Sequence, residues 1–526
     1  MNRVNCLIRA SYQFFLLALL FLSSQTGQPL FAQEISRTSK PFEKYNIVLI
    51  FIDTLRADHL SCYGNPRKTS PNIDRLAKES TVFEQNFTPI TYTLPSFMSI
   101  ITSIYPYSHG VLEIFKDKLS PRVTTLAQIL KTYGYKTAWF GPLDDPQLKP
   151  EVGFGRGFDD LAEVGYWWYH MDGQRQRKTF CDWLDANKDQ RFFLNFHTYK
   201  VHAPYFPSPK YKAKFTKIKS REGVTEDYEG YDSAPIKQIM KNKTLAVEKL
   251  GEDLFNQFIA SGLLMSGDRQ QTEDFFASRE KRNKLCSFLG SAYFAGIHFE
   301  DKAVNAYVQT LYDADILEYD EEVIGPVIEK LKALNIYDKT IIIICADHGE
   351  EFYEHGGFGH GSTLYDEQTH VPLIIHVPWI KQAKRVKELT QTVDILPTLL
   401  DLLEIPIPHQ AQGKSLVGLM NNQKQPCPLH EYVFGRMEIL SSIRSKKWLF
   451  VLHNDKPDPT KEFYNLRSDP GQQNNVYLKN KDTALKLESK LKEWEVSLPS
   501  YQDQEYSFPP DIDRATQERI RKTGYW

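Results

Sequence analysis

Cysteine is scarce in this 526-residue chain, with six in all: Cys6, Cys62, Cys181, Cys286, Cys345 and Cys427. Their scattered spacing suits neither a zinc site nor a disulfide framework. Cys6 also precedes the first apolar run, too early for a lipoprotein cleavage site. Net charge is nearly absent, with 64 basic against 66 acidic side chains giving −2. No broad field therefore favours nucleic acid or an anionic membrane. Beyond the N-terminus no apolar run approaches the roughly 20 residues that a membrane helix needs, so the remainder is expected to be soluble. No internal repeat is visible.

What is present suits an ordinary globular enzyme. Apolar residues make up 41% and charged residues 25%, the usual balance for a soluble fold. Length alone suggests two or three domains, a count that large α/β enzymes often evade. At the N-terminus, Arg3 and Arg9 form a basic segment before the apolar stretch from Phe14 to Leu22, and small and polar residues follow. This reads as a signal peptide over residues 1–33, cleaved near Ala32 or Gln33. A secreted or periplasmic protein is expected, with an uncleaved membrane anchor as the alternative.

Continuous apolar, β-branched runs mark strands buried on both faces. Asn46-Ile47-Val48-Leu49-Ile50-Phe51-Ile52 leads directly to Asp53. Thr340-Ile341-Ile342-Ile343-Ile344-Cys345-Ala346 leads to Asp347-His348. Shorter runs cover 371–377 and 190–196, the second ending at His197. Helical patterns at Thr124–Tyr133 and Glu321–Leu334 alternate with these strands. Strand–helix alternation predicts an α/β fold with a large, mostly parallel central sheet flanked by helices. Such sheets bind ligands beyond the carboxyl ends of their strands. Residues 44–425 are read as the catalytic domain. The polar stretch at about 208–300 reads as a helical insertion, either a wall of the substrate site or a solvated excursion. Residues 426–526 read as a small α+β subdomain and tail, with strands within Arg444–His453 and a helix at Thr483–Leu498.

The polar residues at those strand ends come first. A buried carboxylate is costly unless something neutralises it. Either Asp53 or Asp347 alone reads equally well as a cap or an ion-pair partner. Two of them at two strand ends, with His348 beside, point to a divalent cation. Asp and His donors suit zinc or manganese better than a thiol-seeking metal. Thr93 in Thr93-Leu94-Pro95-Ser96 sits where a turn enters a helix, since proline suits a first helical turn. Amide dipoles there stabilise anions, and a metal-bound hydroxyl would be an activated nucleophile. Alternatively Thr93 is a plain cap. Histidines cluster in two loops, His197 with His202 and His355 with His360, the second pair among glycines that let backbone approach a ligand.

Taken in order, these segments resemble the sulfatase family of the alkaline phosphatase superfamily. The resemblance is carried by the opening strand through Asp53-Thr54-Leu55-Arg56-Ala57-Asp58-His59, by Ser70-Pro71-Asn72-Ile73-Asp74-Arg75-Leu76-Ala77 and by Thr93-Leu94-Pro95-Ser96. Further along it is carried by Tyr105-Pro106-Tyr107-Ser108-His109-Gly110-Val111, His202-Ala203-Pro204-Tyr205, Asp347-His348-Gly349-Glu350 and Glu462-Phe463-Tyr464-Asn465-Leu466 with Asp469-Pro470. It spans about 45–498 apart from the insertion. The family implies an alkaline-phosphatase-like fold, one divalent ion (Ca, Mn or Zn) on Asp53, Thr93, Asp347 and His348, and a substrate-contacting histidine at His202. It also implies a nucleophile made from cysteine or serine by oxidation to formylglycine, followed at a fixed distance by arginine. This chain has Thr93 and Phe97 at those positions. Oxidised threonine is a ketone, without the second hydroxyl that expels sulfate from the covalent intermediate. Thr54 replaces a second aspartate, Gly141-Pro142-Leu143-Asp144 replaces a lysine- and histidine-bearing segment, and His360 falls where many relatives place a lysine. The retained set resembles the single-metal site of phosphoethanolamine and phosphoglycerol transferases.

The expectation is a metal-dependent hydrolase of a sulfate or phosphate ester, with Thr93, His202 and His360 as catalytic residues. Its substrate would be carried on a glycan or a lipid head group. A phosphodiesterase or phosphoryl transferase, and an inactive binding protein of the same fold, are the competing readings.

Overall fold

The run Asn46–Ile52 forms strand β1, with every residue buried. Its side chains alternate between two cores: Ile47, Leu49 and Phe51 enter one, and Val48, Ile50 and Ile52 enter the other. Successive strand residues point to opposite faces, so a strand covered on both sides must be apolar throughout. This structure is a computed structural model that describes residues 40–113, 116–143, 152–164, 173–203, 205, 207–215, 302–421, 428–454 and 459–501. The expected signal peptide and nearly all of the expected insertion lie outside the described residues.

Thirteen further strands follow among the described residues: β2 (Thr81–Phe87), β3 (Lys136–Gly141), β4 (Asp160–Glu163), β5 (Phe192–Thr198), β6 (Thr340–Cys345), β7 (Glu351–Phe352), β8 (Phe358–Gly359), β9 (Leu373–His376), β10 (Lys384–Gln391), β11 (Val433–Arg436), β12 (Leu440–Arg444), β13 (Trp448–His453) and β14 (Thr460–Asn465). Seven of them join β1 in one eight-stranded sheet in the order β10-β2-β9-β6-β1-β5-β3-β4. Its pairings are parallel except at β9, which runs antiparallel to both β2 and β6. The expected mostly parallel sheet is present, and β9 is the strand from 371–377 that departs from it.

Helices cover both faces, as parallel crossovers require. On one side Leu94, Phe97 and Met98 of the Thr93–Thr102 helix join Leu126 and Leu130 of Leu126–Thr132 and Leu399 of Ile395–Leu402. On the other, Ile73, Phe180, Tyr312 and Val327 bring in the helices Pro71–Ala77, Gly173–Asn187, Lys302–Tyr319 and Gly325–Ala333. The helix expected at Thr124–Tyr133 starts at Leu126 because Thr125 caps it: its hydroxyl accepts the Gln128 amide, and the Gln128 side chain returns the bond. The pattern at Glu321–Leu334 begins inside a π-helical turn, Asp320–Ile324, that continues from the preceding helix.

Strands β11 to β14 form a separate antiparallel sheet. The Lys481–Ser497 helix packs on it through Ala484, Leu487 and Leu491 against Ile443, Phe450 and Phe463. No helix among the described residues is long and apolar enough to cross a membrane. Cys62, Cys181 and Cys345 are free thiols.

Candidate active site

Strands β6, β1 and β5 are neighbours in the sheet, and their carboxyl ends gather the candidate ligands. Asp53 follows β1, Asp347-His348 lies just beyond β6, and His197 is the penultimate residue of β5. All four are fully buried. The ligand atoms of Asp53, Asp347 and His348 lie within 4.8 Å of one another. Thr93, the first residue of its ten-residue helix, places Oγ1 3.2 Å from His348 Nε2. The structure thus brings Asp53, Thr93, Asp347 and His348 into one buried spot at the head of the sheet.

Local backbone chemistry fixes this arrangement. Asp347 Oδ1 accepts the amides of Thr54 at 3.2 Å and His348 at 2.9 Å. Thr54 adopts the left-handed conformation at φ +57°, which costs a non-glycine residue about 1–2 kcal/mol. Two bonds hold it there: its hydroxyl donates to Val201 O at 2.9 Å, and the Tyr312 hydroxyl donates to Thr54 O at 2.7 Å. Ser96 Oγ donates to Asp347 O at 2.8 Å, tying the Thr93 helix to the β6 end. Gly349 is required by space, because a Cβ there would lie 2.1 Å from Glu367 O.

Three histidines around the spot share one orientation. His348 Nδ1 faces Gly349 O at 2.9 Å, His202 Nδ1 faces Ala203 O at 2.6 Å, and His360 Nδ1 faces Glu350 Oε1 at 2.8 Å. Each partner is an acceptor, so Nδ1 carries the proton, and in the neutral ring Nε2 carries the lone pair. Burial pushes all three down to about 4 and His197 to about 3, which keeps them neutral near pH 7. Their rings form a chain: His348 and His360 are 4.3 Å apart by centroid, and His360 and His202 4.9 Å. Burial works to raise Asp347, but His348, His197 and its hydrogen bonds outweigh it and hold the carboxyl below its usual range.

This donor set suits a divalent cation. His348 presents a lone pair at Nε2, Asp347 Oδ2 makes no hydrogen bond among the described residues, and a second carboxylate and a hydroxyl complete the cluster. Oxygen and imidazole donors without thiolate favour calcium, manganese or zinc.

Three residues in this region were not assigned roles from sequence. His197 Nε2 lies 3.3 Å from Asp53 Oδ2 and its ring stacks on Phe97 at 5.5 Å. The strand expected to end at 196 runs on through Thr198, which places His197 inside it. Glu350 is fully buried, and its Oε2 accepts the Tyr205 hydroxyl at 2.9 Å. Both Glu350 and Tyr205 lie within motifs that carried the resemblance, which was the available signal. His355, grouped with His360 from the sequence, belongs to a different network. Its Nδ1 meets Glu367 at 2.6 Å and its Nε2 meets Gln472 O at 3.0 Å, while the ring stacks on Tyr365. Glu351, His355 and Glu367 form a second acid–histidine cluster, but Glu351 is already bonded to the amides of His355 and Gly357 and to Gln368. Phe97 packs against Phe154 at 4.5 Å and Phe51 at 5.0 Å.

The family model for sulfatases matches residues 45–405. The chain belongs to the sulfatase family. A second model, the C-terminal region of N-sulphoglucosamine sulphohydrolase, matches residues 353–497. The chain is 25% identical over 513 residues to an N-acetylglucosamine-6-O-sulfatase of Bacteroides thetaiotaomicron, covering 85% of this chain and 86% of the relative. It is 24% identical over 514 residues to mouse arylsulfatase K, covering 90% of this chain and 84% of the relative. Among solved structures, one in complex with its substrate D-glucosamine-2-N,6-O-disulfate superposes with a TM-score of 0.64 at 22% identity, covering 88% of this chain and 100% of the other. The phosphonate monoester hydrolase of Agrobacterium radiobacter superposes at 0.63 with 20% identity, covering 88% and 97%. The fold is therefore that of the sulfatases, and this chain is a sulfatase-family ester hydrolase of a family that binds a divalent metal.

Proposed function

We propose that this enzyme hydrolyses a sulfate ester on a sugar, with Thr93 as a direct nucleophile in place of the formylglycine precursor. The observation that carries this reading is Thr93 Oγ1 at 3.2 Å from His348 Nε2, inside the Asp53, Asp347 and His348 cluster. Those three residues, with Thr93, would hold the divalent ion. When bound, the ion supplies Lewis-acid stabilisation of the hydroxyl oxygen and the ester oxygens. The Thr93 oxygen forms a bond to sulfur while the bond from sulfur to the sugar oxygen breaks. A histidine Nε2 at His202 or His360 takes the hydroxyl proton and delivers it to the leaving oxygen. Water then attacks the sulfur, releasing hydrogen sulfate and the Thr93 hydroxyl. The sugar assignment is supported by the N-acetylglucosamine-6-O-sulfatase and a Delta 4,5-hexuronate-2-O-sulfatase among the relatives. The N-terminal segment 1–33 supports action outside the cytoplasm.

A phosphoester reading is favoured by two features of the sequence, the hydroxyl at Thr93 and the absence of a sulfate-binding lysine and histidine at Gly141-Pro142-Leu143-Asp144. The test is a panel of sulfated aminosugars, sulfated hexuronates, aryl sulfates, phosphate monoesters and diesters, assayed with Ca, Mn or Zn on wild type and Thr93→Ala. Sulfated sugars are expected to turn over, and Thr93→Ala to lose at least about 1,000-fold, as removal of a nucleophile does. Full turnover by Thr93→Ala would refute the nucleophile. Turnover restricted to phosphate esters would favour the second reading, and inertness without metal binding would mean a binding protein.

A further inference from the structure

The three histidines at the site are held by unlike partners. His348 and His202 give their Nδ1 protons to neutral backbone carbonyls, of Gly349 and Ala203. His360 instead directs its Nδ1 at a carboxylate, Glu350 Oε1 at 2.8 Å. That carboxylate is fully buried and is itself gripped: the Tyr205 hydroxyl donates to Oε2 at 2.9 Å, and the Ala203 amide also bonds to it. Ala203 and Tyr205 flank the end of the His202 loop. Glu350 therefore joins two loops that approach from different strands, the one after β5 carrying His202 and the one after β8 carrying His360.

We propose that Glu350 is a positioning residue that locks His360 in its Nδ1–H tautomer and clamps the His360 loop to the His202 loop. With Nδ1–H committed to Glu350, the acceptor nitrogen of His360 is Nε2, on the opposite side of the ring. A ring free to flip or change tautomer would present a donor as often as an acceptor. A buried acceptor whose own bonds come from a second loop removes that freedom, as carboxylate partners of histidine do elsewhere. The functional consequence rests on the reading above, in which a site histidine accepts a proton at Nε2. The tautomer assignment does not depend on it.

The experiment uses the full chain carrying 15N-labelled histidine, with the His360 resonances assigned by comparison with His360→Gln. Long-range proton–nitrogen correlations on the metal-free protein report which ring nitrogen bears the proton. Wild type is expected to show Nδ1–H at His360, and Glu350→Ala to shift the ring toward the Nε2–H form. In parallel, kinetics are measured on the best ester of the panel. Glu350→Ala is expected to lower kcat by about 10–100-fold, the usual effect of losing such a partner, with KM nearly unchanged. Glu350→Gln, which keeps one acceptor oxygen for His360 but turns an amide toward the donors on the other side, should recover part of that loss. The double variant with His360→Ala should be no worse than His360→Ala alone, because the two residues act as a unit. Nε2–H at His360 in the folded wild type would overturn the proposal whatever the nucleophile turns out to be. So would additive kinetic losses, or a Glu350→Gln variant as impaired as Glu350→Ala. If Thr93→Ala retains turnover while the tautomer result holds, the nucleophile assignment fails and the positioning role stands.

Discussion

Replacing Asp53 with asparagine should stabilise the protein in a chelator and destabilise it relative to wild type when a divalent ion is supplied. Asp53 and Asp347 present carboxylate oxygens within 4.8 Å of each other, both fully buried. Two unit charges at that separation would repel by about 3.5 kcal/mol at an effective permittivity of about 20, an upper limit because the close pair can share a proton. The neighbouring imidazoles are neutral near pH 7, because burial holds His348 at about 4 and His197 at about 3. Asparagine keeps an oxygen to accept from His197 Nε2, which lies 3.3 Å from Asp53 Oδ2, so most of the repulsion should be relieved at small cost. In chelator the variant should therefore gain about 1–3 kcal/mol. With ion at a hundred times its dissociation constant, wild type gains about 2.7 kcal/mol, and the variant, having lost one anionic ligand, gains far less. Urea unfolding midpoints of both proteins in EDTA and in excess Ca, Mn or Zn measure all four corners of this cycle. Equal destabilisation by Asp53→Asn in both conditions, or a wild-type midpoint indifferent to every ion tested, would refute the argument.

Two other consequences are cheaper to check. Gly349→Ala places a Cβ 2.1 Å from the Glu367 carbonyl, a backbone clash that no side-chain rotamer relieves. The cost should exceed about 4 kcal/mol, the extreme end for single substitutions, and appear as lost soluble yield or a collapsed urea midpoint. His355 is lowered by burial, but its contact with Glu367 and Gln472 outweighs that and lifts it from 6.5 to about 9. A histidine raised on folding contributes stability that is fully present below its unfolded value and lost as pH rises through the folded one. Wild-type stability should thus decline between pH 6.5 and 9, and His355→Gln should lack that part of the decline in a pH series of unfolding midpoints.

Much of the fold was legible because its strands are buried on both faces. Asn46–Ile52 and Thr340–Cys345 have no polar interruptions, and runs of that kind have few alternatives to a central parallel strand. Their ends were equally conspicuous, since a carboxylate directly follows each run, and the fold brings Asp53 and Asp347 into one buried cluster. The direction of β9 was not legible, since a short apolar run looks the same in either orientation. His197 and Glu350 were hidden for another reason. Their roles lie in what they touch, residues 144 positions away for the His197–Asp53 contact and 145 for the Glu350–Tyr205 bond, and single-sequence patterns carry no such information. His355 erred the other way, since proximity in sequence to His360 suggested a shared site that tertiary structure divides.

Phe97 offers the sharpest test of the proposed departure from formylglycine chemistry, whether by one substitution or by a rebuilt wall. The family resemblance implies an arginine four residues after the nucleophile, and Phe97→Arg would supply it. Phe97 is fully buried, stacked face to face on Phe154 at 4.5 Å and on His197 at 5.5 Å, and edge-on to Phe51 at 5.0 Å. The ring therefore fills a wall that supports His197, which in turn bonds Asp53. Arginine here would leave a buried charge among aromatics, a defect of about 3–5 kcal/mol, in addition to the lost packing. Phe97→Leu, which preserves an apolar fill, should cost less, about 1–3 kcal/mol. The expected result is that Phe97→Arg unfolds at markedly lower urea than Phe97→Leu and gains no turnover on aryl sulfates. A Phe97→Arg variant as stable as wild type and faster on sulfates would show that the wall tolerates the charge. In that case the aromatic stack would be incidental, and the proposed direct nucleophile would rest on Thr93 without support from Phe97.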